Sequence, residues 1–288
     1  MTLSTKRLPF ACAILAAACA LIAGFGAASP GALAAGNEFA AHRAVYELSL
    51  AQSRGKSAVS ARGRILYDFT GSACEGYKLE FRQVSELDNG EGKITLSDLR
   101  SSTWEDGAAK AYKFASQNYL NQQQIDSVDG RAERRDNAIA VTLSKPKDKK
   151  LDLEATIIFP TEHVRRIIEA AREGKSILEF PVYDGSETGE KIYNTLTVIG
   201  HEIAPGERNH DDAAVGEARL ASMPRWPVTI SYFERGKSDN NSEQTPAYAI
   251  RFELYANGIS RALALDYNNF VINGKLTSLD INESKPCR

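Results

Sequence analysis

Over most of its length the chain alternates apolar and polar residues with a period of two. In "SAVSARGRILYDF" the residues Val59, Ala61, Ile65, Tyr67 and Phe69 fall on one face, and "GYKLEFRQ" repeats the pattern with Tyr77, Leu79 and Phe81. "KKLDLEATIIF" does so again with Leu151, Leu153, Ala155, Ile157 and Phe159. This alternation predicts half-buried antiparallel strands. Further strands read at "HRAVYELSL", "KITLSDLRSSTW", "KAYKFASQNY", "NAIAVTLSK", "SILEFPVYDG", "KIYNTLTVIG", "WPVTISYFE" and "AYAIRFELYANG". The C-terminal third reads as a meander of hairpins, with Asn257-Gly258 and Asn273-Gly274 offering the positive φ angles of tight turns.

One segment, "PTEHVRRIIEAAREGK", breaks the period. Val164, Ile167, Ile168 and Ala171 recur at helical spacing, Thr161 can cap the start after Pro160, and Gly174 ends it, so a helix is predicted near 161–173. Its charged back bears Arg165, Arg166, Glu169 and Arg172. Such a helix buries its single apolar stripe along a sheet face or in an opening. The fold class is therefore all-β, a long and highly curved antiparallel sheet that hides its edges, with one amphipathic helix. Two loops interrupt the strands. "SKPKDKK", with Lys145, Lys147, Lys149 and Lys150, is a solvated hairpin tip, whereas "HEIAPGERNHDDAAVGEARLASMPRW" is long enough to be functional or mobile.

The first residues do not belong to this pattern. Lys6 and Arg7 precede an apolar run from Leu8 to about Phe25, followed by Ser29-Pro30-Gly31 and Ala32-Leu33-Ala34. That is the layout of a secretory signal peptide cut after Ala34, leaving 35–288 as a single domain. The same run is just long enough to span a bilayer as an anchor, but its alanine and glycine content and the small residues at the cut favour cleavage. No second run reaches that length. Removing Lys6 and Arg7 takes the formal net charge from −2 to −4, too mild to point to a nucleic-acid partner.

Cleavage also removes Cys12 and Cys19, leaving Cys74 and Cys287. In an exported chain two cysteines read as one disulfide, which would bolt the chain's end to one of its first strands; two buried free thiols are the other reading.

Catalytic signatures are sparse. The sequence has no G-x-S-x-G elbow, H-E-x-x-H, P-loop or C-x-x-C, and Ser186 in "DGSETG" departs from elbow spacing and sits where a turn is expected. Of the four histidines, His201 and His210 share the long loop with Asp211 and Asp212. Those four side chains form a loose metal or hydrolytic constellation, set against a solvated acidic loop. No cofactor is expected. The strand aromatics, among them Tyr67, Phe69, Tyr77, Phe81, Tyr112, Phe114, Phe252 and Tyr255, are either packed core or the wall of an apolar cleft able to take an acyl chain or apolar peptide.

"FPTEHVRRII", "VYDGSETGEKIYNTLTVIG", "ELYANGISRALALDYNNFVINGKL", the lone early cysteine of "SACEGY" and the near-terminal Cys287 resemble the EipB-type cell-envelope integrity proteins of bacteria. The resemblance covers essentially the whole chain beyond the leader. It implies a periplasmic protein that maintains the envelope. It also implies an antiparallel β-spiral wound around the helix that starts near Thr161, closed by a Cys74–Cys287 bridge. The spiral is similar in turn to the half-open barrels of lipoprotein carriers, an analogy of fold alone. Two readings follow. The first is a non-enzymatic protein that binds a lipid, a lipoprotein or another periplasmic protein; the second is an envelope hydrolase with a site in the 201–212 loop.

Overall fold

A computed structural model describes residues 39–54, 58–92, 94–207, 210–236, 244–283 and 287. The leader and its cleavage site lie outside the described residues. Residues 37–288 form one compact unit.

Fourteen strands build one antiparallel sheet. In chain order they are β1 (His42–Ser53), β2 (Ser60–Ser72), β3 (Gly76–Asp88), β4 (Ile94–Glu105), β5 (Ala111–Leu120), β6 (Gln123–Arg134), β7 (Ala138–Lys145) and β8 (Lys149–Glu154). After the helix α1 (Pro160–Arg172) come β9 (Ile177–Val182), β10 (Tyr193–Ile199), β11 (Arg225–Glu234), β12 (Tyr248–Tyr255), β13 (Ser260–Asp266) and β14 (Phe270–Ile281). The spatial order runs β8 back to β1, then β14 back to β9, with β1 pairing β14 in the middle. Each strand lies beside its sequence neighbours except β8 and β9, which are left as the two edges.

Unpaired edges invite association. Here the chain leaves β8 and Ile158 bridges Val182 of β9 in parallel. The Ile158 amide donates to the Pro181 carbonyl at 2.9 Å, and the Tyr183 amide donates to the Ile158 carbonyl at 3.0 Å. Glu154 at the end of β8 also pairs Arg235, just past β11, at 2.9 Å, and Lys149 at its start pairs Glu190 in the β9–β10 connection. The sheet thus coils until its two edges meet.

Because every connection but one is a hairpin, the turns alternate between two rims. One rim carries the β2–β3 turn with Cys74, α1, the long β10–β11 loop and both described chain ends. The opposite rim carries the β1–β2, β3–β4, β5–β6, β7–β8, β9–β10, β11–β12 and β13–β14 connections. We call these the helix rim and the hairpin rim. Cys74 and Cys287, 213 residues apart, meet in disulfide geometry on the helix rim with Cα atoms 5.7 Å apart.

The helix buries Ile167, Ile168, Ala170 and Ala171 against Phe39, Phe69, Tyr77, Trp226, Val228 and Leu254. It starts two residues earlier than a Thr161 cap implies. Pro160 occupies the first turn, the N-cap residue is Phe159, and no side chain of the helix's own start caps it. Glu105, at the end of β4, does so from across the fold, its two oxygens each accepting an amide at 2.7 Å, from Thr161 and Glu162. The far end matches expectation: Gly174, at φ +72°, stands just past the last turn.

Two strand readings need correction. β8 stops at Glu154, and Ala155 begins a turn that carries Ile157 and Phe159 into a second core with Tyr112, Phe114, Ile139, Val141 and Tyr183. Asn273-Gly274 is not a turn; it lies inside β14, where Gly274 pairs Leu48 and Leu263. A Cβ at Gly274 would come within 3.1 Å of Leu263, so the glycine serves close packing, and the chain reverses instead at Tyr267–Asn269 with Asn268 at φ +66°.

Candidate functional site

Cross-strand partners share a face, so the register identifies the interior. His42, Phe69 and Leu79 form one such row, and Ala44, Tyr67 and Phe81 the next. On the other side of the seam Tyr232 pairs Tyr248, Ile230 pairs Ile250, and Val228 pairs Phe252. These two walls do not close on each other. Between them lies a cavity of about 440 Å³, bounded at the helix rim by Phe39, Pro160, Thr161 and Val164 and reaching the hairpin rim at Tyr267. That volume lies in the range of small-ligand sites. The strand aromatics are therefore divided: Tyr77, Tyr112 and Phe114 are packed core, whereas Tyr67, Phe69, Phe81 and Phe252 line open space.

The wall is mainly aliphatic and aromatic, with a few placed polar groups. His42 donates its Nδ1–H to the Ala40 carbonyl at 2.7 Å, leaving Nε2 as the ring's acceptor, and burial lowers its pKa, so the ring is neutral. It stacks on Tyr67 with centroids 5.5 Å apart. The Tyr46 hydroxyl donates to the Ser260 carbonyl at 2.8 Å, and burial pushes its pKa up to about 12. Tyr232 and Tyr248 stack at 4.5 Å, with Tyr193 edge-on to both. Along β4 the interior face continues through Thr103, Ser101, Leu99, Ser97 and Thr95, all half-buried. One step further, Asn118 opposes Leu99, and its Oδ1 is buried without a hydrogen-bond partner. Of this row only Thr103 lines the cavity.

Among the described residues the long loop keeps its candidate side chains apart. It lies as a strap held by buried ion pairs. Glu253 receives Arg225 Nε at 3.0 Å and His210 Nε2 at 2.9 Å, while Arg261 meets Asp212 at 2.8 Å with both side chains at most 4 % exposed. Lys275 holds Asp211 at 2.9 Å. His201 is exposed. His210, Asp211 and Asp212 are thus engaged with three different strands rather than with one another, and among the described residues no group of three metal-ligating side chains assembles. The loop's length reads as functional or mobile in the sequence; in the structure its carboxylates Asp212 and Asp211 answer Arg261 and Lys275, and its Glu207 carbonyl accepts from Arg225. Ser186 lies in a turn, as expected, its amide bonded to Asp184 Oδ1 at 2.9 Å.

Residues 33–283 match the family model described as EipB-like. The chain belongs to the EipB-like family. It is 36% identical over 263 residues to the cell envelope integrity protein EipB of Brucella abortus, covering 91% of this chain and 90% of that protein. The crystal structure of a β-barrel-like protein of a domain of unknown function, also from Brucella abortus, superposes with a TM-score of 0.77 at 34% identity, over 85% of this chain and 99% of that one. Both the resemblance read from the sequence and the all-β curved sheet agree with these matches. The EipB-like relative is thus a protein of the cell envelope, and no helix among the described residues here is long and apolar enough to cross a membrane.

Proposed function

We propose that this EipB-like protein is a non-enzymatic periplasmic protein that supports envelope integrity by sheltering the acyl chain of a lipid or lipoprotein. The cavity between β1–β4 and β11–β13 carries this reading. It is apolar along most of its length, it is about 440 Å³, and no side chain fills it. Each CH₂ moved from water into such a wall contributes about 0.8 kcal/mol. Gln83, Thr103 and Thr161, which line the same cavity, offer hydrogen bonds to the polar end of the same amphiphile. Envelope integrity comes from the relative's name, and the periplasm from the leader pattern of Lys6, Arg7 and the apolar run. The hydrolase reading has no observation in its favour, since its residues are spent in the strap.

Titration with a fluorescent fatty acid tests the proposal. One saturable site, competed by unlabelled palmitate, is expected. Absence of saturable binding by the oxidised protein contradicts it.

A further inference from the structure

The hairpin rim shows an asymmetry that acyl binding does not require. Among the described residues eight large apolar side chains are exposed, and five of them, Val59, Ile94, Leu120, Ile125 and Tyr267, stand on this rim. Of the other three, Ile177 and Val198 oppose each other as cross-strand partners near the helix rim, and Val215 lies in the strap. Val59, Ile94, Leu120 and Ile125 are 39 to 60 % exposed and sit on successive connections. The Val59 amide donates to Asp88, whose partner across the next hairpin is Ile94, and Leu120 pairs Ser97 three residues along β4. The β5–β6 tip between Leu120 and Ile125 reads "LNQQQI", with no charge at all.

The next tip in the series is basic. Lys145, Lys147 and Lys150 at the β7–β8 turn are exposed, and among the described residues none has a carboxylate partner. On the rest of the rim the β9–β10, β11–β12 and β13–β14 connections bear Asp184, Glu187, Glu190, Glu234 and Asp266 beside Lys191 and Arg235, and the last four of these acids are ion-paired, whereas Asp88, Glu91 and Asp148 are the acids of the first half. Four of the five apolar side chains and all three of these lysines thus lie on the β1–β8 half of the rim, and the fifth, Tyr267 on the β13–β14 connection, lines the cavity.

We propose that the β1–β8 half of the hairpin rim docks on an anionic lipid surface, with Ile94, Leu120 and Ile125 entering the interface and Lys145, Lys147 and Lys150 facing acidic headgroups. Apolar tips supply insertion, and lysines near an anionic surface each strengthen binding by about fivefold. The docked rim would bring the Tyr267 end of the cavity toward the bilayer, a source of acyl chains. Docking does not depend on the cavity holding anything, so it stands or falls separately from the acyl reading.

The test is flotation with phosphatidylcholine vesicles prepared with and without phosphatidylglycerol. The native chain is compared with Ile94→Ser/Leu120→Ser/Ile125→Ser and with Lys145→Gln/Lys147→Gln/Lys150→Gln, all carrying the same N-terminus. These side chains are exposed, so melting temperatures should be unchanged, which separates docking from folding. The native chain is expected to float with the anionic vesicles, more weakly as salt rises. The serine variant should lose at least tenfold in binding to both vesicle types, and the glutamine variant should lose the preference for phosphatidylglycerol. Equal flotation of all three proteins, or none by the native chain, overturns the proposal and leaves the rim to a protein partner.

Discussion

Cys74, in the turn between β2 and β3, and Cys287, at the end of the chain, stand with their Cα atoms 5.7 Å apart although 213 residues separate them in sequence. The strand that precedes Cys287, β14, pairs β1 at the seam of the sheet, so the cysteine pair ties this seam strand to the β2–β3 hairpin. A bridge closing so long a loop lowers the entropy of the unfolded chain by at most about 5 kcal/mol, and typical bridges deliver about 2–4. Cys74→Ser or Cys287→Ser is expected to lower the melting temperature by roughly 5–15 °C while leaving the far-UV circular dichroism intact. Calorimetry of oxidised protein, reduced protein and both variants measures it. Identical melting of all four would mean that the pair adds nothing.

Glu105 makes the fold sensitive to pH. Burial outweighs the two amides it accepts and pushes its pKa up to about 7, above the ordinary carboxylate value. Its contribution to stability is therefore fully present below the unfolded value and is lost as pH rises through about 7. Burial acts in the opposite sense on His163, lowering its pKa to about 4, and it also lowers that of His42. Their contribution is present above the unfolded histidine value of about 6.5 and is lost as pH falls toward 4. Between about pH 4.5 and 6.5 the carboxyl and the histidines therefore act in opposite senses and partly cancel. Glu105→Gln, which removes the loss between about pH 4.5 and 7, should make thermal stability rise more steeply toward pH 7, and a profile unchanged by this substitution would contradict the assignment.

The strap is anchored by the buried Arg261–Asp212 pair, whereas its Asp211–Lys275 pair is exposed. Removing one partner of a buried pair costs about 3–5 kcal/mol because the other is left uncompensated. Asp212→Ala should destabilise the protein by that order and open residues 205–223 to limited proteolysis. Asp211→Ala, which frees only the solvent-exposed Lys275, should cost less than about 1 kcal/mol.

Filling the cavity is expected to separate binding from folding. Leu263 lines it and is half-buried. Leu263→Trp should reduce binding of the fatty-acid probe at least tenfold, with a melting temperature within a few degrees of the native value.

The legible parts of the fold were those in which a strand's own side chains alternate. β2, β3 and β5 announce themselves through Tyr67, Phe81 and Phe114. β6, "QQIDSVDGRAER", does not, because two of its inward slots hold Gly130 and Ala132. A Cβ at Gly130 would meet Phe114 at 2.7 Å and Leu143 at 2.8 Å, so neighbouring strands fill the space that its own side chain leaves. Likewise, nothing local to the helix start indicates a cap that comes from Glu105, 56 residues earlier. The cavity was open as a question in the sequence. Tyr67 and Tyr77 belong to equivalent alternating patterns, and only the separation of the two walls makes the former lining and the latter core. The resemblance to the EipB-type proteins carried the spiral, but local patterning alone did not locate its edges at Ile158 and Val182.

Native mass spectrometry of the protein recovered gently from the periplasm, with and without reductant, tests the central claim most directly. The account predicts a chain two hydrogens lighter than its reduced form, carrying an acyl-bearing species that is lost on denaturation. A bare chain that also takes up no lipid when lipid is supplied would contradict it.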